Sequence, residues 1–184
     1  MNPCCEFFCK NAKNLKKVKE LLKEPERSAW ESMSASEYSP CTVQGEETVV
    51  RQIMRPHHIE KTTGEISPTA FEDVFGMGLS VHRLTYCAAK EAVDRGKIRA
   101  QEFNNKHPEK PQRSLFGVVE FQVHELRALI VDGHMRAVCI YDTALEDDKS
   151  HADVCMVAEQ TPQNQRSVRF QLFEAAKRGR LSIT

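Results

Sequence analysis

Two short apolar segments, 48–54 and 79–83, bracket an excursion broken by Pro56, Gly64, Pro68, Gly76 and Gly78, and this punctuation restricts the fold more than any other feature. Neither segment is long enough for a buried helix, and Leu79-Ser80-Val81-His82-Arg83 alternates in character, so both read as strands. Arg55-Pro56 ends the first one, because proline supplies no ladder donor and restricts the residue before it. Ser67 followed by Pro68 has the order of a helix N-cap and a first helical residue, so a short helical turn is expected there. The glycines at 76 and 78 then let the chain bend back into the second strand.

Downstream, 116–123 alternates as a further strand, 124–130 reads as a short helix, and 135–141 and 153–158 read as strands. Helical periodicity is carried by 85–104, with Tyr86, Ala89, Val93, Ala100 and Phe103 as its inner stripe, and by 163–178, with Val168, Leu172 and Ala175 inward. Strand and helix do not alternate regularly enough for a doubly wound fold. The expectation is an α+β body over 48–184, with a small mixed or antiparallel sheet of about four to six strands and two main helices. No internal repeat supports a solenoid.

Ahead of it, Phe8, Ala12, Leu15, Val18 and Leu22 recur at helical spacing over 6–24, with Lys10, Lys13, Lys16, Lys17, Lys19 and Lys23 on the other face and Pro25 as the stop. Ser28 to Glu31 has the form of a capping box, and 32–47 reads as a linker. Residues 1–47 are therefore expected to form a basic helical arm and linker.

The 184 residues include 26 basic and 26 acidic side chains, so no whole-molecule field draws in nucleic acid or an anionic membrane. No apolar run approaches the roughly 20 residues of a membrane span. The N-terminus lacks the basic-then-apolar order of a secretory signal, which points to the cytoplasm. Of the seven cysteines, Cys87, Cys139 and Cys155 stand in apolar contexts and read as core residues. Cys4, Cys5, Cys9 and Cys41 depart from structural zinc spacing. No metal is expected.

The candidate ligand-binding residues are Arg51, Arg55, His57, His58 and Arg83. Arginine offers a bidentate fork to phosphate or carboxylate, and histidine titrates near neutrality. The alternative for these charges is pairing with Glu46, Glu47 or Glu60. Ser80 and His82 share a strand face, but without a G-x-S-x-G turn they do not read as a hydrolase pair. His151, Asp153 and Cys155 alternate on another strand and read as structural.

Arg51, Ser67-Pro-Thr-Ala70-Phe71-Glu-Asp73, Leu79-Ser80-Val81-His-Arg83, Gly117-Val118-Val-Glu-Phe121 and His151-Ala152-Asp-Val154 together resemble a group of small, largely uncharacterised bacterial proteins. These carry an arginine-bearing first strand, S-x-x-A-F-x-D, L-S-V-x-R, G-V-x-x-F and a late H-A-x-V. The resemblance spans roughly 49–178 and implies a compact bacterial cytosolic domain in an accessory, toxin-like or defence setting. The chain is also similar to the ADP-ribosyltransferase class, in which an arginine on the first strand holds the dinucleotide phosphates and a late acid stabilises charge on the ribose. The matching positions are Arg51, Ser80 and either Asp153 or Glu159. The expectation is a non-enzymatic binding or accessory domain without a cofactor, recognising a partner protein within a larger assembly or an anionic, nucleotide-like ligand. Its alternatives are an NAD-consuming transferase and a nucleic-acid binder acting through the lysine face.

Overall fold

The computed structural model describes residues 1–179 and, by backbone alone, residues 181–183; Arg180 and Thr184, at the end of the body expected over 48–184, lie outside the described residues. In chain order the elements are α1 (Pro3–Lys10), α2 (Lys17–Leu21), a 3-10 turn (Ala29–Ser32), β1 (Thr48–Arg55), a longer 3-10 segment (Pro68–Phe75) and β2 (Leu79–Arg83). There follow α3 (Ala89–Lys106), β3 (Ser114–Gln122), α4 (Val123–Arg127), β4 (Ile130–Val131), β5 (Met135–Arg136), β6 (Val138–Tyr141), β7 (His151–Met156), α5 (Pro162–Arg178) and β8 (Leu181–Ile183). Six strands make one sheet in the order β6-β7-β2-β1-β3-β8. Every neighbouring pair is antiparallel. β4 and β5 pair separately, and the fold is α+β.

Because side chains alternate along each strand, register decides which layer every residue enters. Val49 lies opposite Arg83 and Phe121, and Arg51 opposite Val119. On that face Val49, Ile53, Val81 and Phe121 join Phe71 and Val74 of the 3-10 segment and Val168 and Leu172 of α5 in the main core. The opposite face carries Val50 and Val118, which pack with Cys87 and Ala92 in a smaller cluster. α3 lies close over this face. A Cβ at Gly96 would come within 2.8 Å of Leu115 Cδ1, so the glycine that weakens the helix intrinsically is what admits its approach to β3. The buried residues of α3 are Ala92, Gly96 and Ala100; of the expected stripe Ala100 is buried and Val93 packs against the smaller cluster, whereas Tyr86 precedes the helix and Ala89 and Phe103 are half-buried.

The helix expected over 6–24 is interrupted. Asn2 caps α1 by accepting the Cys5 amide at 2.9 Å, and Asn11 at its end donates to the Phe7 carbonyl at 3.0 Å. Asn14 accepts the Lys16 amide at 2.9 Å. These local bonds give the backbone an alternative to continuing the helix, and the chain restarts at α2. Lys17 is not on a solvated face: only 6% exposed, its ammonium lies 2.6 Å from Asp153 Oδ2. Residues expected to form an arm and linker enter the main core through Cys4, Phe8, Val18, Leu21, Trp30, Ala35 and Val43, with the Phe8 and Tyr141 rings 4.8 Å apart. Ser28 makes no side-chain cap bond. Glu31 is instead buried, accepting from Arg127, Arg136 and the Ile140 amide. Among the described residues no helix is long and apolar enough to cross a membrane.

Truncating Phe8 therefore opens a cavity in the common core. Phe8→Ala is expected to lower stability by about 3 to 5 kcal/mol and to leave a single urea transition by both far-UV circular dichroism and Trp30 fluorescence. An appended arm would give a separate early transition and an unchanged main midpoint.

Candidate functional site

The expected arginines have different fates. Arg83 is 0% exposed; its Nε and Nη2 meet Glu47 at 2.8 and 2.7 Å, and Nη1 donates to the Cys41 carbonyl at 2.7 Å with Asp142 Oδ1 at 3.3 Å. Burial opposes the Glu47 carboxylate, yet hydrogen bonds from Arg83 and the Gln44 amide hold it below its ordinary range. Burial pushes Asp142 up to about 6 against the pull of Arg83. With its guanidinium consumed internally, Arg83 is a structural cation and not the ligand-binding group expected from its sequence neighbourhood. Arg55 is exposed and stacks on Phe116, 4.7 Å from the ring centre.

Arg51 reaches a different place. β1 and β2 pair only at Val49–Arg83 and Val50–His82. Beyond these pairs Arg51 extends to the Ser80 carbonyl with Nη1 at 3.1 Å, and to Asp73 Oδ2 with Nη2 at 2.9 Å. It lines a cleft of about 400 Å³ together with Gln52, His57, His58, Asp73, Arg99 and Arg113. Arg99 comes from α3 and Arg113 from the segment before β3. Sequence reasoning missed both. The signal for Arg99 was the spacing Ala92, Gly96, Arg99, Ala100, which puts the guanidinium beside the sheet-facing stripe once the small residues are taken as that stripe. Arg113 is fixed by an exchange with Asn104, whose Oδ1 accepts the Arg113 amide at 2.7 Å and whose Nδ2 donates to the Arg113 carbonyl at 2.9 Å. Its guanidinium lies 3.4 Å from the Phe103 ring centre.

Charge in this cleft is one-sided. Asp73 is the one carboxylate among its described lining residues, and Arg51 already engages it. The Nε atoms of Arg51 and Arg113 are buried without a hydrogen-bond partner. His58 adds no charge near neutrality: burial, reinforced by Arg51, pushes its imidazole down to about 4, and its Nδ1 accepts the Met54 amide at 3.0 Å. His57 is exposed at the cleft wall.

Across the splayed β1–β2 gap lies a second cleft of about 580 Å³, which also touches Asp73 and contains Ser80, His151, Asp153 and Lys17. Ser80 is directly opposite Asp153, and His82 opposite His151. Burial works against the Lys17 ammonium, but Asp153 outweighs it and raises its pKa. Arg51, Ser80 and Asp153 are thus neighbours. Glu159 lies exposed beyond β7, outside the lining of both clefts. His82 is buried beside Asp148 and Ser150, each at 3.2 Å, and burial lowers its pKa against Asp148. Among the described residues no group of three or more His, Cys, Asp or Glu is placed to hold a metal ion. Cys5 and Cys9 have sulfurs 4.0 Å apart, while Cys41 sits 2.9 Å from the Tyr86 hydroxyl.

His58 supplies a pH test with a definite sign. An unfolded histidine titrates near 6.5 and His58 near 4, so the stability given by its neutral form is complete above about 6.5 and lost as pH falls through 4. NMR titration should place its midpoint near 4. His58→Asn, which keeps an acceptor for the Met54 amide, should remove roughly 2 to 3 kcal/mol of acid-induced destabilisation, read from urea midpoints at pH 7 and 4. Compared with known proteins, the chain matches no family model, no curated protein and no solved structure.

Proposed function

We propose that this chain is a binding module for a small phosphate-bearing ligand of nucleotide type, seated in the cleft between β1, α3 and the segment before β3. The observation that carries this reading is the convergence of Arg51, Arg99 and Arg113 on one hollow whose single carboxylate is already engaged. Arginine forks match phosphate oxygens bidentately, and a partly desolvated site strengthens each such bond. A volume of about 400 Å³ lies within the usual range for small-molecule sites. A protein partner would call for a flatter, grooved patch. Nucleic-acid binding through the lysine face is weakened by the loss of Lys17 to the interior.

A second reading, an NAD-consuming transferase, is favoured by the cross-strand placement of Ser80 and Asp153 and by the bond from Arg51 to the Ser80 carbonyl. It ranks second because Lys17 already neutralises Asp153, the acid that would have to meet positive charge developing on a ribose.

Isothermal titration with ADP and with pyrophosphate tests the first reading. Arg99→Ala and Arg113→Ala should each weaken binding by about tenfold, the value of one charge-assisted hydrogen bond, and affinity should fall as salt rises. Asp73→Asn, which releases Arg51, should tighten it. Affinity indifferent to both arginine substitutions would overturn this assignment. Nicotinamide release from NAD that is abolished in Asp153→Asn would promote the transferase in its place.

A further inference from the structure

The second cleft contains a constellation that plays no part in the binding reading. Ser80 and His151 are diagonal neighbours across the β2–β7 ladder, and Ser80 Oγ lies 2.7 Å from His151 Nε2. The other ring nitrogen, Nδ1, is 3.0 Å from the Thr143 carbonyl oxygen and 2.9 Å from the Thr143 hydroxyl. A carbonyl oxygen can only accept, so it favours the tautomer with hydrogen on Nδ1. Nε2 is then the acceptor and the Ser80 hydroxyl the donor. Nucleophile, base and orienting group stand in the order required for an activated serine. Asp153 Oδ1 lies 4.0 Å from Nε2, beyond hydrogen-bond reach, and its other oxygen is held by Lys17 at 2.6 Å.

We infer that Ser80 is a nucleophile activated by His151, and that the cleft around them hydrolyses small neutral or cationic carboxylic esters bearing an apolar group. Sequence alone paired Ser80 with His82 on the same strand, where attack is badly placed. The cross-strand partner His151 leaves Oγ in a cleft of about 580 Å³. Substrate class follows from the walls. Phe8, Met77 and Leu145 offer apolar surface, and Met77 and Leu145 are exposed at 39% and 42%. Asp73, Glu37 and Glu146 make the lining acidic, and the last two carboxylates raise the pKa of Tyr38 beside them. An anionic ester would be repelled; a neutral or amine-bearing one would not.

In the reaction Ser80 Oγ attacks the ester carbonyl carbon while its proton passes to His151 Nε2. The tetrahedral intermediate collapses by breaking the bond to the leaving alcohol oxygen, which takes the proton from Nε2. The acyl group is now on Ser80. Water then gives a proton to Nε2 and attacks the acyl carbon; the bond to Oγ breaks and Ser80 recovers its proton. Ester and water become acid and alcohol, with no oxidant or further reactant. Lys17 also lines the cleft, and its ammonium carries two N–H donors beyond the one given to Asp153, the cationic group available to the negative charge on the carbonyl oxygen.

The test uses the full-length chain, a biotinylated fluorophosphonate and p-nitrophenyl butyrate. Peptide mass spectrometry should find the phosphonyl group on Ser80. Labelling and hydrolysis should be lost in Ser80→Ala and fall roughly 100-fold in His151→Asn, in line with removal of a general base. Ser80→Cys keeps size and backbone, and its thiol should react with iodoacetamide faster than that of the exposed Cys9, with the excess rate lost when His151→Asn is added. No label on Ser80, hydrolysis undiminished in Ser80→Ala, or a thiol introduced by Ser80→Cys that is no faster than Cys9 and indifferent to His151 would each overturn the assignment. Circular dichroism of each variant separates lost chemistry from lost fold.

Discussion

A guanidinium sealed from water must be given its carboxylates before the layers around it can close, and in this molecule that guanidinium is Arg83. Breaking a buried pair by removing one partner costs about 3 to 5 kcal/mol, because the remaining charge stays unpaired. Its partners come from four places: the Cys41 and Thr42 carbonyls, Glu47 before β1, Asp142 after β6, and the Tyr86 ring 4.6 Å away. The same knot fixes the pairing of Val49 with Arg83, which aligns β1 on β2 at one end only. Where that ladder stops, Arg51 spans the gap to Ser80, and the two clefts open on either side.

Those clefts are electrostatic opposites divided by one ion pair. Asp73 lines both, and its bond to Arg51 keeps a positive hollow from merging with an acidic one. The Arg51–Asp73 pair thus lies between a lining with three arginines and one with Glu37, Glu146 and Asp153. On the ligand readings proposed above, small molecules of opposite charge would be directed to neighbouring surfaces of the same sheet.

Much of the architecture was legible because backbone periodicity is a local property. β2 falls on 79–83 as its alternation required, Ser67 accepts the Thr69 amide as its place before Pro68 foretold, and α5 buries Val168, Leu172 and Ala175. What failed were properties that depend on distant neighbours. Alternation assigns Arg83 to a face but says nothing of Glu47 and Asp142 waiting there. Lysine-rich spacing marks Lys17 as a solvated cation, yet Asp153 on β7 draws it inside. The stripe of α3 was found only in part, because Ala92 and Gly96 are small, suited to close approach and not to apolar bulk. The site suffered the same blindness: Arg51 and His58 were found within one stretch of eight residues, whereas Arg99, Arg113 and His151 reach the clefts only through tertiary structure.

The contact between Lys17 and Asp153 joins residues 136 positions apart, and Phe8 against Tyr141 and Arg27 on the Val157 carbonyl repeat the pattern. A chain made from its N-terminus therefore releases Phe8, Val18 and Leu21 well before the ribosome has produced the strands that shelter them. Long-range closure of this kind is slow, and the sticky leading segment must wait uncovered meanwhile. Order of synthesis, and not only final stability, thus bears on Phe8, Val18 and Leu21, whose burial waits on strands made more than a hundred residues later.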